Sequence, residues 1–251
     1  MKNNIFERED MLKYLDEFSE IYNNRIINNN EGGMKSPHLF PIWYILKKIK
    51  PKYIIESGVW KGLGTWFFEN ASPDSIIISI DPSPNYRIYT SPNVEYSTID
   101  FINYDWSKIS DQDKKDTLLF FDDHQNSIDR IKHAKLLGFK KMIFEDNYPY
   151  LQGDCYSPKK ILSRKKWVID LGGVKKWFDP VETDYNYFIE NVISYQELPP
   201  LFKDDKTRWG DDWSDYIYNT PEPLLSKSDI EKYPIFFDER KDYTWLSYLE
   251  I

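Results

Sequence analysis

Short apolar runs alternate with longer amphipathic stretches along most of this chain. Residues 5–23 carry Met11, Tyr14, Leu15 and Phe18 at helical spacing and predict a charged amphipathic helix. The Asn- and Gly-rich segment 26–37 predicts a loop. A second helix is expected over 39–49, ending at Lys50-Pro51 because the residue before proline avoids helical geometry. Five apolar runs follow, at 53–56, 75–80, 94–99, 117–121 and 141–144, with helical patterns at 65–70 and 127–137 between them. Near-continuous apolar strands separated by helices predict a doubly wound, Rossmann-like α/β fold. Its sheet is mostly parallel, with helices on both faces.

The remainder is less regular. Residues 147–167 read as a long loop with a short helix, and 167–171 as a strand fragment. Residues 185–195 suit helix or strand, 198–223 a loop carrying acids from Asp204 to Asp215, and 243–251 a strand or anchored tail. One compact domain is expected. It comprises N-terminal helices with a lid loop (1–50), a Rossmann-like core (51–197) and a C-terminal extension (198–251) on the acceptor side or sheet edge.

Each of the five runs finishes on acid: Glu56, Asp81, Asp100, Asp122-Asp123 and Glu145-Asp146. Ligands of open α/β sheets bind beyond the carboxyl ends of the strands, near the point where strand order reverses. An acidic rim along that edge is therefore where the site is expected.

Composition narrows the partners. An apolar fraction of 41% and an aromatic fraction of 17% exclude a disordered chain. With 33 basic against 41 acidic residues the net charge is −8, and no long basic block provides a nucleic-acid footprint. Cys155 is the only cysteine, which excludes an intrachain disulfide and a cysteine-rich zinc site. The charged start lacks a signal-peptide core, and no apolar stretch approaches the roughly 18 residues of a membrane span. A soluble cytoplasmic protein without a membrane partner is expected; homo-oligomerisation is left open.

The turn Glu56-Ser57-Gly58-Val59-Trp60-Lys61-Gly62-Leu63-Gly64-Thr65 is the most specific local signal. A dinucleotide fingerprint starting at Gly62 fails at Phe67, and a P-loop starting at Gly58 fails at Leu63. Gly58 and Gly62 would let backbone approach a ligand. Free N–H groups at the following helix start, with Thr65 as cap, suit a carboxylate, and Glu56 suits an ammonium. S-Adenosylmethionine (SAM) carries both groups. Asp81 lies 23 residues beyond Gly58, where an acid accepts ribose hydroxyls. Asp100 would receive the adenine amino group, with Phe101 or Ile102 against the ring; a turn or helix-cap role is its alternative.

Residues 51–146 resemble a class I SAM-dependent methyltransferase, with 51–65 matching the first motif and 77–81 the second. The resemblance implies that Glu56, Ser57, Gly58, Gly62 and Thr65 hold the methionine portion, Asp81 the ribose and Asp100 the adenine. Trp60-Lys61 departs from it, being bulky where many members have small residues.

By the same register Asp123, Glu145 and Asp146 converge on one hard cation, for which Mg²⁺ suits better than zinc. Such an ion would hold the acceptor and acidify its hydroxyl. This part resembles metal-dependent sugar O-methyltransferases and the cephalosporin-hydroxylase-like group. Either Asp122 or Asp123 suits the ligand role, since only one can point inward. The reading adopted is Asp123 on the metal and Asp122 near the sulfonium, with helix caps as the alternative for these acids. His124 is the candidate general base, an imidazole near neutral pKa. His38 would reach the site from the lid, and His133 is structural. Tyr148, Tyr150, Asp154, Trp209 and Trp213 suit a carbohydrate or small-molecule acceptor, or plain packing. The basic run 159–166 suits a phosphate or a solvated helix face. O-Methylation of a sugar or small hydroxylated metabolite is thus expected. The alternatives are a non-catalytic binding module, or a metal-dependent hydroxylase or glycosyltransferase on the same sheet.

Overall fold

The computed structural model describes residues 6–213 and 218–251. Ile5 of the predicted first helix and Asp215 of the acidic loop lie outside them. The predicted strands form β1 (Tyr53–Ser57), β2 (Ile76–Ile80), β3 (Val94–Ser97), β4 (Thr117–Phe121) and β5 (Lys141–Phe144). All five are parallel, in spatial order β3-β2-β1-β4-β5. Strand order reverses between β1 and β4, which makes their carboxyl ends the switch point.

The inner strands are buried on both faces, which is why they read as mostly apolar runs, whereas edge strand β3 is partly exposed. Ile54, Ile77, Leu118, Phe120 and Ile143 face a core shared with α3 (Ser36–Ile49) and α4 (Leu63–Ala71). Ile55, Ile78, Leu119, Phe121 and Met142 face the opposite core, with Ile128, Ile131 and Ala134 of α6 (Ser127–Leu137). The short α5 spans Asp111–Lys115. The fold is the expected doubly wound α/β sheet.

Several boundaries differ from expectation. The first helix is two, α1 (Arg8–Leu12) and α2 (Leu15–Asn23), and α2 carries Phe18 and Tyr22 onto Phe236. Helix α3 begins at Ser36, inside the predicted loop, because Pro37 suits the first turn, where no intrahelical N–H is needed. After α7 (Pro158–Ser163), the predicted fragment at 167 is one arm of a hairpin, β6 (Trp167–Leu171) and β7 (Val174–Phe178). Gly172 and Gly173, both at positive φ, make its tight turn. The ambiguous 185–195 segment contains both alternatives: α8 (Glu182–Asn191) ends inside it and β8 (Ser194–Glu197) begins there. The short α9 spans Pro234–Asp238. The predicted tail becomes β9 (Ser247–Glu250), inserted antiparallel between β5 and β8. Among the described residues no helix is long and apolar enough to cross a membrane.

Candidate functional site

Register brings the acids together. Ser57 pairs with Ile80 and Phe121, and Phe121 with Phe144, so the next residues, Asp81, Gly58, Asp122 and Glu145, lie side by side at the carboxyl edge. At roughly 4.8 Å per strand, Asp81 and Asp122 stand about 10 Å apart across the switch point. Two acids depart from the strand-end pattern. Glu56 lies inside β1, and Asp100 sits three residues past the end of β3.

Glu56 is fully buried, and its Oε2 accepts the hydroxyls of Thr65 (2.5 Å) and Ser79 (2.6 Å). Its Oε1 has no partner among the described residues and sits where a Cβ on Gly64 would meet both it and Met34 Cε. Burial raises this carboxyl from 4.5 to about 7. Thr65 is not the cap of α4: Gly62, at φ +93°, holds that position, and Thr65 is a buried partner of Glu56 within the first turn. No side chain caps the helix. Gly58 answers to a contact inside the chain, since a Cβ there would lie 1.9 Å from the Asp122 carbonyl oxygen. Asp81 folds back on the same turn. Its Oδ2 accepts the Val59 and Trp60 N–H groups at 3.3 and 3.2 Å, and Oδ1 accepts Ser83 N–H at 2.8 Å.

The two β4 aspartates, expected on the metal (Asp123) and near the sulfonium (Asp122), have different surroundings. Asp123 Oδ2 accepts the Ser57 hydroxyl at 2.7 Å and lies 2.8 Å from Arg130 of α6. With that carboxylate engaged, Asp122 is the one that faces the cation-ligand set. Arg130 also binds both oxygens of Asp100, at 2.9 and 2.8 Å, which satisfies the carboxylate expected to read adenine. Phe101 is fully buried among Trp106 and Phe121, leaving Ile99 and Ile102 as the exposed apolar residues beside Asp100. Sequence reading missed Arg130. Its signal was a cation on the core-facing stripe with Ile131 and Ala134.

Ligand atoms of Asp122, His124 and Asp146 lie within 4.8 Å of one another. Asp146 is buried, and neither of its oxygens completes a hydrogen bond among the described residues. Burial, then the charge of Asp146, pushes Asp122 well above the ordinary carboxylate range. His124, at the uncommon φ of 54°, places Nδ1 3.0 Å from Asp154 and 3.2 Å from Asp146. The Asp154 contact, then the Asp146 charge, raises its imidazole to about 10. The near-neutral value expected of this imidazole is that of a ring without such carboxylate neighbours. Glu145 stands just behind, outside the three-residue cluster. Its Oε1 accepts Thr244 Oγ1 at 2.9 Å and lies 3.0 Å from His38 Nε2. His38, in the first turn of α3, does reach the site, and burial lowers its pKa to about 4. His133 bonds the Asp129 carbonyl in its own helix.

These groups line a cavity of about 60 Å³ with Gly32, Gly33, Met34, Lys35, Tyr148, Arg208 and Asp242. The N-terminal strap closes it. Trp60 Nε1 donates to the Glu31 carbonyl (3.1 Å) and Lys61 Nζ to that of Asn29 (3.0 Å). The bulky pair of the glycine turn therefore clasps the strap.

Elsewhere the acceptor-side expectations resolve into packing and pairing. Asp154 is committed to His124. Trp209 packs on Tyr148, and Trp213 on Trp245. The basic run is solvated at Arg164, Lys165 and Lys166 and partly buried before them. Lys159 pairs with Glu197 and Arg164 with Glu182, while buried Lys160 donates to the carbonyls of Gly153, Cys155 and Val168.

No protein-family model matches the chain, and no curated protein matches it. Solved structures do. A CmcI structure with SAH is 20% identical, with 48% of this chain and 66% of that one covered and a TM-score of 0.41. An apo structure of CmcI is 18% identical, with 45% and 53% covered and a TM-score of 0.38. The O-methyltransferase from Bacillus cereus in complex with SAH is 12% identical, with 79% and 88% covered and a TM-score of 0.40. The chain spans between half and two thirds of the length of these CmcI structures.

Proposed function

We propose that the chain is a SAM-dependent O-methyltransferase that holds a small hydroxylated acceptor, of sugar type, beside a divalent cation. One observation carries this reading. A buried carboxylate oxygen of Glu56 under an uncapped helix start, and Asp81 at the next strand end, share a sheet edge with the Asp122–His124–Asp146 set.

Both groups pass a fit test on this chain's own atoms. Glu56 Oε1 is an orphaned acceptor for an ammonium, and the first N–H groups of α4 suit the adjoining carboxylate. Asp81 accepts two N–H groups on Oδ2 and one on Oδ1, which leaves a lone pair on Oδ1 for a ribose hydroxyl. Ile99 and Ile102 offer exposed apolar surface to the base. On the other side of the switch point, Asp122 and Asp146 offer two carboxylates and His124 an imidazole, which would ligate a cation in its neutral form, giving up the proton it shares with Asp154 and Asp146. When bound, a divalent ion supplies Lewis acidity that lowers the pKa of a coordinated hydroxyl.

In the transfer, the acceptor oxygen forms a bond to the methyl carbon as the carbon–sulfur bond breaks. The cofactor would leave as a neutral thioether, and the hydroxyl proton would need a base on this chain. Glu145, which lines the same cavity but stands outside the ligand set, would take that proton. Tyr148 and Arg208 line the same cavity and would face an acceptor held there.

Titration calorimetry with S-adenosylhomocysteine tests the cofactor assignment. Saturable binding is expected, and no heat at millimolar ligand overturns it. The closed strap favours a second reading, a non-catalytic module of the same fold, because a 60 Å³ cavity is far below the roughly 300 Å³ of a small-molecule site. Binding without methyl transfer to any hydroxylated acceptor would support that reading.

A further inference from the structure

His38 belongs to no strand of the sheet, yet it is 2% exposed and reaches the cavity from the start of α3. Its Nδ1 accepts the Lys35 N–H at 2.9 Å. One ring nitrogen is therefore an acceptor, and the neutral imidazole carries its proton on Nε2. That nitrogen stops 3.0 Å from Glu145 Oε1 without completing a hydrogen bond. Glu145 Oε1 has one other partner, the Thr244 hydroxyl, and the next residue is buried Asp146, whose Oδ2 faces His124 and whose oxygens complete no hydrogen bond among the described residues. Imidazole or carboxylate groups that orient a ligand from behind are a general feature of metal sites.

We propose that His38 is a positioning residue. Its Nε2–H steadies the Glu145 carboxylate, and through Glu145 the adjacent Asp146, so that Asp146, Asp122 and His124 bind a divalent cation as one set. The strap is then part of the site, since the clasp of Trp60 and Lys61 on residues 29–31 and the Lys35–Asp242 pair (2.9 Å) set where α3 begins. This inference rests on the cation reading of the cluster.

The test uses the full chain and Mn²⁺ as probe, with binding followed by electron paramagnetic resonance at one neutral pH. His38→Asn retains an acceptor for the Lys35 N–H, and so the helix start, but is too short to reach Glu145. His38→Gln extends an amide N–H to about the position of Nε2. The Asn variant is expected to bind Mn²⁺ about tenfold more weakly, the lower end of the range for outer partners of metal ligands. The Gln variant is expected to recover most of that loss. Affinity for S-adenosylhomocysteine should change in neither. Equal Mn²⁺ binding by wild type and the Asn variant, or no recovery in the Gln variant, overturns the role of His38 alone. A wild-type chain that binds no Mn²⁺ at millimolar concentration removes the cation reading, and this inference with it.

Discussion

Arg130 Nη2 lies 2.8 Å from Asp123 Oδ2 and 2.8 Å from Asp100 Oδ2, so one buried guanidinium joins the end of β4 to the segment beyond β3. Replacing it by Met keeps much of the stem volume but leaves the largely buried Asp123 without its cation. Arg130→Met should lower unfolding free energy by about 3 kcal/mol or more. Urea titration would show this, and a shift under 1 kcal/mol would deny the pair its structural role.

The same contact separates the two β4 aspartates functionally. Asp122→Asn removes an oxygen from the cation set and should weaken Mn²⁺ binding about tenfold or more. Asp123→Asn should leave it nearly unchanged while lowering stability. The opposite ranking in a Mn²⁺ titration would return the ligand role to Asp123.

Gly58 combines φ +96° with a Cβ position 1.9 Å from a carbonyl oxygen, whereas Gly172 has a positive φ but open space around it. Gly58→Ala should therefore cost about 3 kcal/mol or more, since backbone must move, and Gly172→Ala about 1 kcal/mol. Denaturation midpoints of the two variants would establish the order.

Glu56 ties stability to pH. Its carboxyl is raised from 4.5 to about 7 in the folded chain, so between those values the unfolded state releases a proton that the folded state keeps. Stability therefore falls as pH rises through this window, by on the order of 3 kcal/mol once pH exceeds 7. Glu56→Gln should flatten that slope in unfolding curves collected from pH 5 to 8. An unchanged slope would place the titrating group elsewhere.

The strap should open for a cofactor-sized ligand. Trp60→Ala deletes both the Glu31 contact and the ring that fills the space beside Gly33. Hydrogen exchange at residues 29–35 should accelerate at least tenfold, equivalent to about 1.4 kcal/mol of local stability. Unchanged protection would mean that other contacts hold the strap.

Much of this architecture was legible in the residue pattern. Five parallel strands followed from runs such as Thr117–Phe121, because a strand covered on both faces is mostly apolar. The acids of the rim followed from the same runs, since a strand's carboxyl end is where it leaves the core. Less local features were not readable. A 185–195 stretch holding the end of one helix and the start of one strand has no single period, and β9 is chosen by a gap between β5 and β8.

The sequence by itself determined which side chains gather at the carboxyl edge, because strand polarity and a shared register leave Asp81, Asp122 and Glu145 no other row. Tertiary structure decided how each is used. Asp122 and Asp123 are chemically identical neighbours, and the Ser57 hydroxyl and Arg130 guanidinium on Asp123 distinguish them. His124 is chemically a neutral-range imidazole until Asp154 and Asp146 surround it. Charge state and orientation depend on distances to groups remote in the chain, and those distances exist only once the sheet and its covering helices have packed.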